Sequence, residues 1–351
     1  MIQAAVHGLG YDSAHRKGAI CADVLDAWFP PCAEALEAFT QNPDNMRISP
    51  DVQGKPLLCA ISSAREVPFD SLSLGSGSSE IIHRVLPRMA GSGPVAVVDP
   101  GYSEYLHVLS RDRCDVVSIR LNPNDGFQLH LDALVSAAAG CSMLILVNPN
   151  NPTGRSLTRR EVLELRAQLD QRTILWVDEA YVDYCGTKTT VEADAAVTPG
   201  LVVLKSLSKA YALSGIRAAY LVAHPETACG IRAHTPPWIV GTSAMAAAVA
   251  AVQNETSYIR VWRDSNCRTQ RLAAQVSSMG LDVWFGEIPA ILIGVPPEKT
   301  AHSWASELSN AGLIVRTPDG MGEVLGDRFI RIGLTAPDHE DRVLAILRSM
   351  L

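Results

Sequence analysis

The run Leu201-Val-Val-Leu-Lys-Ser206-Leu-Ser-Lys209-Ala-Tyr-Ala-Leu-Ser-Gly-Ile-Arg217 decides how this chain is read. Its apolar, β-branched start predicts a buried strand at 201–204, and the hydroxyl-rich continuation predicts a strand-to-loop junction. Lys209 sits in that junction with Ser206 and Ser208 before it and Arg217 eight residues on. The 351 residues include only six lysines, so one set among serines beyond a buried strand is conspicuous. An amine in a pocket with phosphate-binding groups is what Schiff-base chemistry requires. Taken alone, the segment also fits a solvated lysine in a polar loop.

Working outward, similar apolar runs recur between helical patterns, giving strand candidates at 95–98, 116–121, 143–147, 174–177, 201–204 and 218–223. Several are apolar throughout, as expected of strands covered on both faces. Thr158-Arg-Arg-Glu161 reads as a capping box opening a helix over 161–168, with Val162, Leu165 and Leu169 on one face. Strands alternating with helices predict an α/β fold, a three-layer α/β/α arrangement around a mostly parallel sheet. Beyond about residue 225 the pattern changes. A helical region over 243–279 follows the Thr235-Pro-Pro-Trp238 break. Short strands at 281–285, 290–295 and 329–334 and helices at 301–310 and 339–350 then predict a smaller α+β domain.

Composition narrows the partners. A net charge of −7 argues against a nucleic-acid binder, which would carry a basic face. The longest apolar run, 244–252, is too short and Ala-rich to span a bilayer, so no membrane partner is expected. The eight cysteines form no CxxC or Cys/His cluster, which predicts reduced thiols in a cytoplasmic protein and no metal site. The first residues show no basic region followed by a long apolar stretch, so no signal peptide is expected.

Five further stretches carry polar groups where a ligand would need them. Leu74-Gly-Ser-Gly77-Ser78-Ser79-Glu80 puts small residues before a helical pattern, where backbone N–H groups can converge on a phosphate; an N-capped turn is the plain alternative. Pro87 is expected to kink or shorten that helix. Asp99-Pro-Gly-Tyr102-Ser-Glu-Tyr105 offers an aromatic at a strand's C-terminal end, suited to covering a flat ring or simply to a core. Asn148-Pro-Asn-Asn151-Pro-Thr-Gly154 is a rigid turn that aims an amide at the crevice outside the strand ends. In Trp176-Val-Asp178-Glu-Ala-Tyr181 a carboxylate ends an apolar strand, where it needs a cationic partner or a helix to cap. In Phe329-Ile-Arg331-Ile-Gly-Leu334 the arginine lies opposite Ile330 and Ile332, placed for a surface ion pair or for clamping a carboxylate.

In this order the motifs resemble the fold-type I pyridoxal-phosphate enzymes, specifically the aspartate aminotransferase superfamily, over nearly the whole chain. The resemblance implies pyridoxal 5'-phosphate as cofactor, with Lys209 as the Schiff-base lysine and the base that moves the substrate's Cα proton. It implies that Asp178 holds the pyridinium nitrogen, Tyr181 and Asn151 the phenolic oxygen, and that Tyr102 stacks on the ring. Gly77, Ser78, Ser79, Ser206, Ser208 and Arg217 are implied to form the phosphate site, and Arg331 to bind the α-carboxylate. It also implies a homodimer acting on a small-molecule amino-acid substrate. The corresponding division is an N-terminal segment, 1–40, serving the small domain and the site entrance; a large cofactor-binding domain, 41–225; and a linking helix with the small domain, 226–351.

Within the superfamily the chain looks most like histidinol-phosphate aminotransferases and threonine-phosphate decarboxylases. His7-Gly8 and the segment 20–36, with Asp26-Ala-Trp-Phe-Pro-Pro, are similar to the decarboxylase branch, in which the His-Gly element approaches a substrate phosphate. Arg316 matches the family arginine that binds a substrate phosphate or other distal anion. Two departures stand on the substrate side: Arg47-Ile-Ser-Pro50-Asp51 lacks the family's tyrosine, and Ile288-Pro289-Ala290 lacks its asparagine. The expectation is an aminotransferase whose substrate differs from histidinol phosphate, with decarboxylation or another Cα/Cβ reaction as the alternative; a non-catalytic binding module is a more remote third.

Overall fold

The computed structural model describes residues 18–41, 43–186 and 189–351. Twelve strands are present among them: β1 Ile20–Cys21, β2 Leu72–Gly75, β3 Val95–Asp99, β4 Val116–Arg120, β5 Met143–Val147, β6 Ile174–Asp178, β7 Leu201–Ser206, β8 Ala219–Ala223, β9 Val283–Phe285, β10 Ala290–Gly294, β11 Leu313–Ile314 and β12 Phe329–Gly333. Seven of them form the main sheet in the order β2-β8-β7-β6-β5-β3-β4, with β8 antiparallel to both neighbours and the other pairs parallel.

The apolar runs become strands because alternate residues feed two cores. Leu144, Leu146, Leu175, Val177, Leu201 and Val203 enter one. Met143, Ile145, Val147, Trp176, Val202 and Leu204 enter the other, on the opposite side of the sheet. Helices cover both sides, giving the expected three layers. Thr158 caps the helix Arg159–Gln168 as a capping box, its hydroxyl accepting from Glu161 N and the Glu161 carboxylate accepting from Thr158 N. The edge strand β4 departs from the expectation of two covered faces, with only Ile119 buried within it, whereas the opposite edge strand β2 is buried throughout.

A smaller unit is built from the antiparallel sheet β12-β10-β9 and the parallel pair β1-β11, around a separate core that includes Ile291, Ile293, Trp304, Leu308, Ile330 and Ile332. The expected helix over 243–279 is two helices, Thr242–Gln253 and Ile259–Ser277, divided by a short 3-10 turn at Glu255–Ser257. Helices Pro225–Arg232 and Thr242–Gln253, grouped with the small domain in the sequence division, place Ala228, Ile231, Met245 and Ala248 in the two cores of the main sheet. The chain therefore crosses to the smaller unit along Ile259–Ser277, whose Trp262 belongs to the larger core and whose Leu272 and Val276 belong to the smaller. The N-terminal segment crosses back: Ile20 and Ala22 are in the small core, Leu25 and Phe29 in the large one.

Two local expectations change. Strand β2 was not expected, since Leu72-Ser-Leu-Gly75 is short and half small residues; pairing with β8 fixes it. Pro87 does not end its helix, which runs from Ser78 to Ala90. Proline in the last turn removes a single i→i−4 bond, and Ile81, Ile82, Val85, Leu86 and Ala90 keep the helix seated on the sheet.

Candidate active site

Strands β2, β3, β5, β6 and β7 all end on one rim of the main sheet, and the segments that leave them carry the polar motifs. A cleft of about 300 Å³ opens there. Ser78, Ser79, Tyr102, Asn151, Asp178, Tyr181, Ser206, Ser208, Lys209, Arg217, Arg316 and Arg331 all line it. Gly77 lies just behind: a Cβ there would come 2.2 Å from the Arg217 guanidinium, and its φ of +85° is one that side chains rarely adopt. His7 lies outside the described residues.

Lys209 occupies the short helix Leu207–Ala210, immediately after β7. Its Nζ donates to Asp26 Oδ1 at 3.0 Å, and Ser214 Oγ donates to the same oxygen at 2.7 Å. Burial lowers the lysine's pKa, the positive fields of Arg331 and Arg217 add to the fall, and Asp26 opposes it. Asp178 ends β6 with its side chain on the same side of the sheet as Trp176. Its Oδ2 accepts from Tyr105 OH at 2.7 Å and its Oδ1 from Ala180 N at 3.0 Å. Trp176 Nε1 donates to the same tyrosine oxygen at 2.9 Å, fixing the phenol against the carboxylate. Burial pushes the Asp178 carboxyl up to about 6, against the lowering effect of those hydrogen bonds. A carboxylate so placed favours a cationic neighbour.

Beside Lys209, donors gather for an anion. Ser208 N donates to Ser206 Oγ at 3.3 Å, and Arg217 Nη1 reaches Ser208 Oγ at 3.5 Å and the Ser214 carbonyl at 3.0 Å. Neither hydroxyl proton is donated to an acceptor among the described residues. Ser79 differs: its hydroxyl donates to Glu104 at 2.8 Å, so it offers an anion its backbone N–H in the first turn of Ser78–Ala90. Tyr102 OH donates to the same Glu104 oxygen at 2.7 Å, which sets the phenol ring at the cleft wall.

The smaller unit supplies two arginines. Arg316 and Arg331 exchange backbone hydrogen bonds at 3.0 and 2.8 Å and are both buried. Arg331 Nη1 donates to Asn151 Oδ1 at 2.7 Å and its Nη2 donates to the Asp23 carbonyl; Arg316 Nη2 donates to the Asp319 carbonyl at 2.8 Å. Arg331 Nε and Arg316 Nη1 are buried without a hydrogen-bond acceptor among the described residues. Burial pushes Arg331 down to about 10. Two cationic donors left over in one cleft are a site for anionic ligand groups.

Reading the motifs did not single out Asp23, Ser214, Glu104, Tyr105 or Met321, and it gave Asp26 no role. Glu104 and Tyr105 stood inside a quoted motif, and Asp26 opened another. Asp26, Glu104 and Tyr105 meet Lys209, Ser79 and Asp178 across 183, 25 and 73 residues, so spacing carried no signal for those contacts. Gly154 shows the same limit: a Cβ there would lie 2.7 Å from Gly286 N, a close approach between the two units.

The residues present fit pyridoxal phosphate: the raised Asp178 carboxyl suits a protonated ring nitrogen, the Gly77–Arg217 contact and free hydroxyls suit a phosphate, and the depressed Lys209 suits a carbonyl carbon. Comparison with known proteins agrees. Residues 31–347 match the aminotransferase class I and II family. A histidinol-phosphate aminotransferase of Paramagnetospirillum magneticum is 30% identical over 332 residues, 92% of this chain and 88% of that protein. An aromatic amino acid aminotransferase of Streptomyces avermitilis is 27% identical over 298 residues, 84% of this chain and 82% of that one. The fold is that of the Sinorhizobium meliloti histidinol-phosphate aminotransferase complexed with pyridoxal-5'-phosphate, with TM-score 0.86, 22% identity and coverage of 98% and 95%. It is equally that of L-threonine-O-3-phosphate decarboxylase from Porphyromonas gingivalis, with TM-score 0.83, 18% identity and coverage of 94% and 98%. This chain belongs to the class I and II aminotransferase family, and it is a pyridoxal-phosphate-dependent transaminase.

Proposed function

We propose that this enzyme transfers the amino group of an L-amino acid or amino-alcohol phosphate, with Lys209 carrying the cofactor and moving the proton at the substrate's α-carbon. One observation carries the reading: a partly buried lysine of lowered pKa shares a cleft with the buried Asp178 and with two buried arginines that each keep a spare donor. Bound pyridoxal phosphate supplies an electrophilic carbon and an electron-withdrawing ring. Asp178 would hold the ring nitrogen protonated, with Tyr105 and Ala180 N orienting its carboxylate. Tyr181 and Asn151 would donate to the phenolic oxygen, and Tyr102 would cover the ring. The backbone around Gly77, Ser78 and Ser79, the hydroxyls of Ser78, Ser206 and Ser208, and Arg217 would hold the phosphate. Arg331 would take the substrate's α-carboxylate through Nε, and Arg316 a second, distal anion.

The substrate side departs from the resemblance at 47–51 and 288–290, so we propose a substrate other than histidinol phosphate. Efficient turnover of histidinol phosphate in an activity panel would contradict that. The broader reading is tested by the visible absorption of the protein with pyridoxal phosphate before and after excess L-glutamate. A band that bleaches as 2-oxoglutarate appears supports transamination. Carbon dioxide release from an amino-acid phosphate points to the decarboxylase reading instead. No band at all contradicts both.

A homodimer is the proposed assembly. Leu36, Phe39, Met46, Ile48, Val52 and Trp238 are exposed apolar side chains on neighbouring segments. Trp238 N donates to the Val52 carbonyl at 3.0 Å and Thr242 to the Ile48 carbonyl at 3.2 Å, while helix Ala33–Thr40 packs on Thr242–Gln253. Sedimentation at a monomer's mass over micromolar concentrations would contradict it. No helix among the described residues is long and apolar enough to cross a membrane, and all eight cysteines are free thiols, which supports a cytoplasmic setting.

A further inference from the structure

We propose that Asp26 is the positioning counter-ion of Lys209, holding the lysine ammonium at a fixed point in the cleft whenever Nζ is not engaged with the cofactor, and that Ser214 locks the carboxylate for that task. The inference rests on the reading of Lys209 as the cofactor lysine.

Asp26 and Lys209 are 183 residues apart, so nothing local forces them together. The segment that delivers Asp26 is anchored on both sides of it by Leu25 and Phe29, both buried in the large core. Ser214 Oγ lies 2.7 Å from Asp26 Oδ1 and 3.1 Å from the Ser208 carbonyl, so one hydroxyl ties the carboxylate to the turn that carries the lysine. The same Oδ1 takes both donors, which sets the direction of approach of Nζ.

The charges around Nζ show why a counter-ion is needed there. Arg217, from the turn after Ser214, and Arg331, from β12, both disfavour the ammonium, as does burial. Arg316, Asp23, Asp178, Tyr102 and Tyr181 line the same cleft. Asp178 is engaged by Tyr105 and Ala180, and Asp26 is the carboxylate in ion-pair contact with Lys209 among the described residues. Its side chain is 56% exposed, at the solvent side of the pair, while the lysine's is 22% exposed. The contact with Asp26 is made by the free Nζ with its ammonium donors, so it belongs to the displaced lysine. Asp26 then keeps that amine near its place of work instead of letting it swing into solvent.

The test uses the cofactor-free full chain. Lys209 is labelled with acetic anhydride across a pH series and read by peptide mass spectrometry, with the exposed Lys55 as internal reference. In Asp26→Asn the Lys209 midpoint falls by about one pH unit, the low end for a neighbouring opposite charge because Asp26 is half exposed, so labelling below the midpoint rises about tenfold. Ser214→Ala moves it the same way by a smaller step, and Asp26→Glu restores it in part. Lys55 is unchanged throughout. An unmoved Lys209 midpoint in an Asp26→Asn protein of native circular dichroism overturns the proposal. Borohydride reduction of wild type with pyridoxal phosphate separates the two claims. Cofactor trapped on Lys209 with an unmoved midpoint defeats the counter-ion alone; a moved midpoint with no trapping on Lys209 keeps the ion pair and defeats the cofactor reading, and with it the role proposed for Asp26.

Discussion

Lys205 and Lys209 lie four residues apart at the end of the same strand, and the fold uses them in opposite ways. Lys205 points beneath the sheet end into a closed ionic cluster. Its side chain is 1% exposed, and its Nζ is 3.3 Å from Asp183 and 3.8 Å from Glu179. Arg65 joins the cluster through Asp183, Glu192 and Glu255. Although burial works against it, the carboxylates hold the Lys205 pKa above its ordinary value. Lys209 has one half-exposed carboxylate and two arginines nearby, and its pKa falls. A lysine held charged by buried carboxylates braces the structure, whereas one whose pKa is lowered gives up its proton more readily and can then attack a carbonyl carbon. The number and burial of the carboxylates around each amine divide the two roles.

The comparison is most easily broken by alanine. Lys209→Ala is expected to cost activity about 10⁴-fold, at the upper end of what a positioned acid–base group contributes, with little change in melting temperature. Lys205→Ala is expected to do the reverse, leaving turnover per folded molecule near normal. It should lower unfolding free energy by about 3–5 kcal/mol, as when one partner of a buried ion pair is removed. Denaturant titrations and kinetics on both variants check the pair of outcomes. If Lys205→Ala loses activity at full stability, the division fails.

Asp178 sharpens the same contrast from the carboxylate side. Its folded-state pKa of about 6 stands above the ordinary 3.8, so the cofactor-free folded protein binds more protons than the unfolded chain between those values. Stability of the cofactor-free protein therefore falls as pH rises through about 4 to 6, by about 3 kcal/mol in all, and the loss is complete above that window. A protonated ring nitrogen beside the carboxylate relieves the cost. The gain in melting temperature on adding pyridoxal phosphate should accordingly grow between pH 4 and 6. Asp178→Asn should remove this pH dependence, stabilise the cofactor-free protein at pH 7 and lower activity about 10²-fold. A cofactor-induced gain equally large at pH 4 and pH 7 in wild type would contradict the pairing.

A smaller effect is expected at Ser79. Because its hydroxyl is spent on Glu104, Ser79→Ala should weaken cofactor binding no more than about threefold, less than Ser208→Ala, whose hydroxyl proton is available to the phosphate. Equilibrium titration of the cofactor by absorbance ranks the two.

Much of the fold was legible because burial leaves an apolar signature: the nine expected strands are present with ends shifted by at most two residues. Strand β2 escaped because Leu72-Ser-Leu-Gly75 gains its order from β8 and carries little signal of its own. The break at Asn254–Tyr258 was legible and missed: Gln253-Asn-Glu-Thr-Ser257 is a wholly polar stretch that interrupts the apolar spacing. The cofactor half of the cleft could be expected because its residues lie on strand ends, one motif to each strand. Asp26, Glu104 and Tyr105 could not be assigned from spacing, since each acquires meaning from a partner that tertiary folding delivers: Lys209, Ser79 and Asp178.

The measurement that tests the central claim most directly is borohydride reduction of the wild-type protein mixed with pyridoxal phosphate, followed by peptide mapping. The account predicts cofactor on the peptide bearing Lys209 and unmodified Lys205, with the visible band lost in Lys209→Ala. Cofactor on Lys205 or any other lysine, or a band that survives in Lys209→Ala, would contradict it.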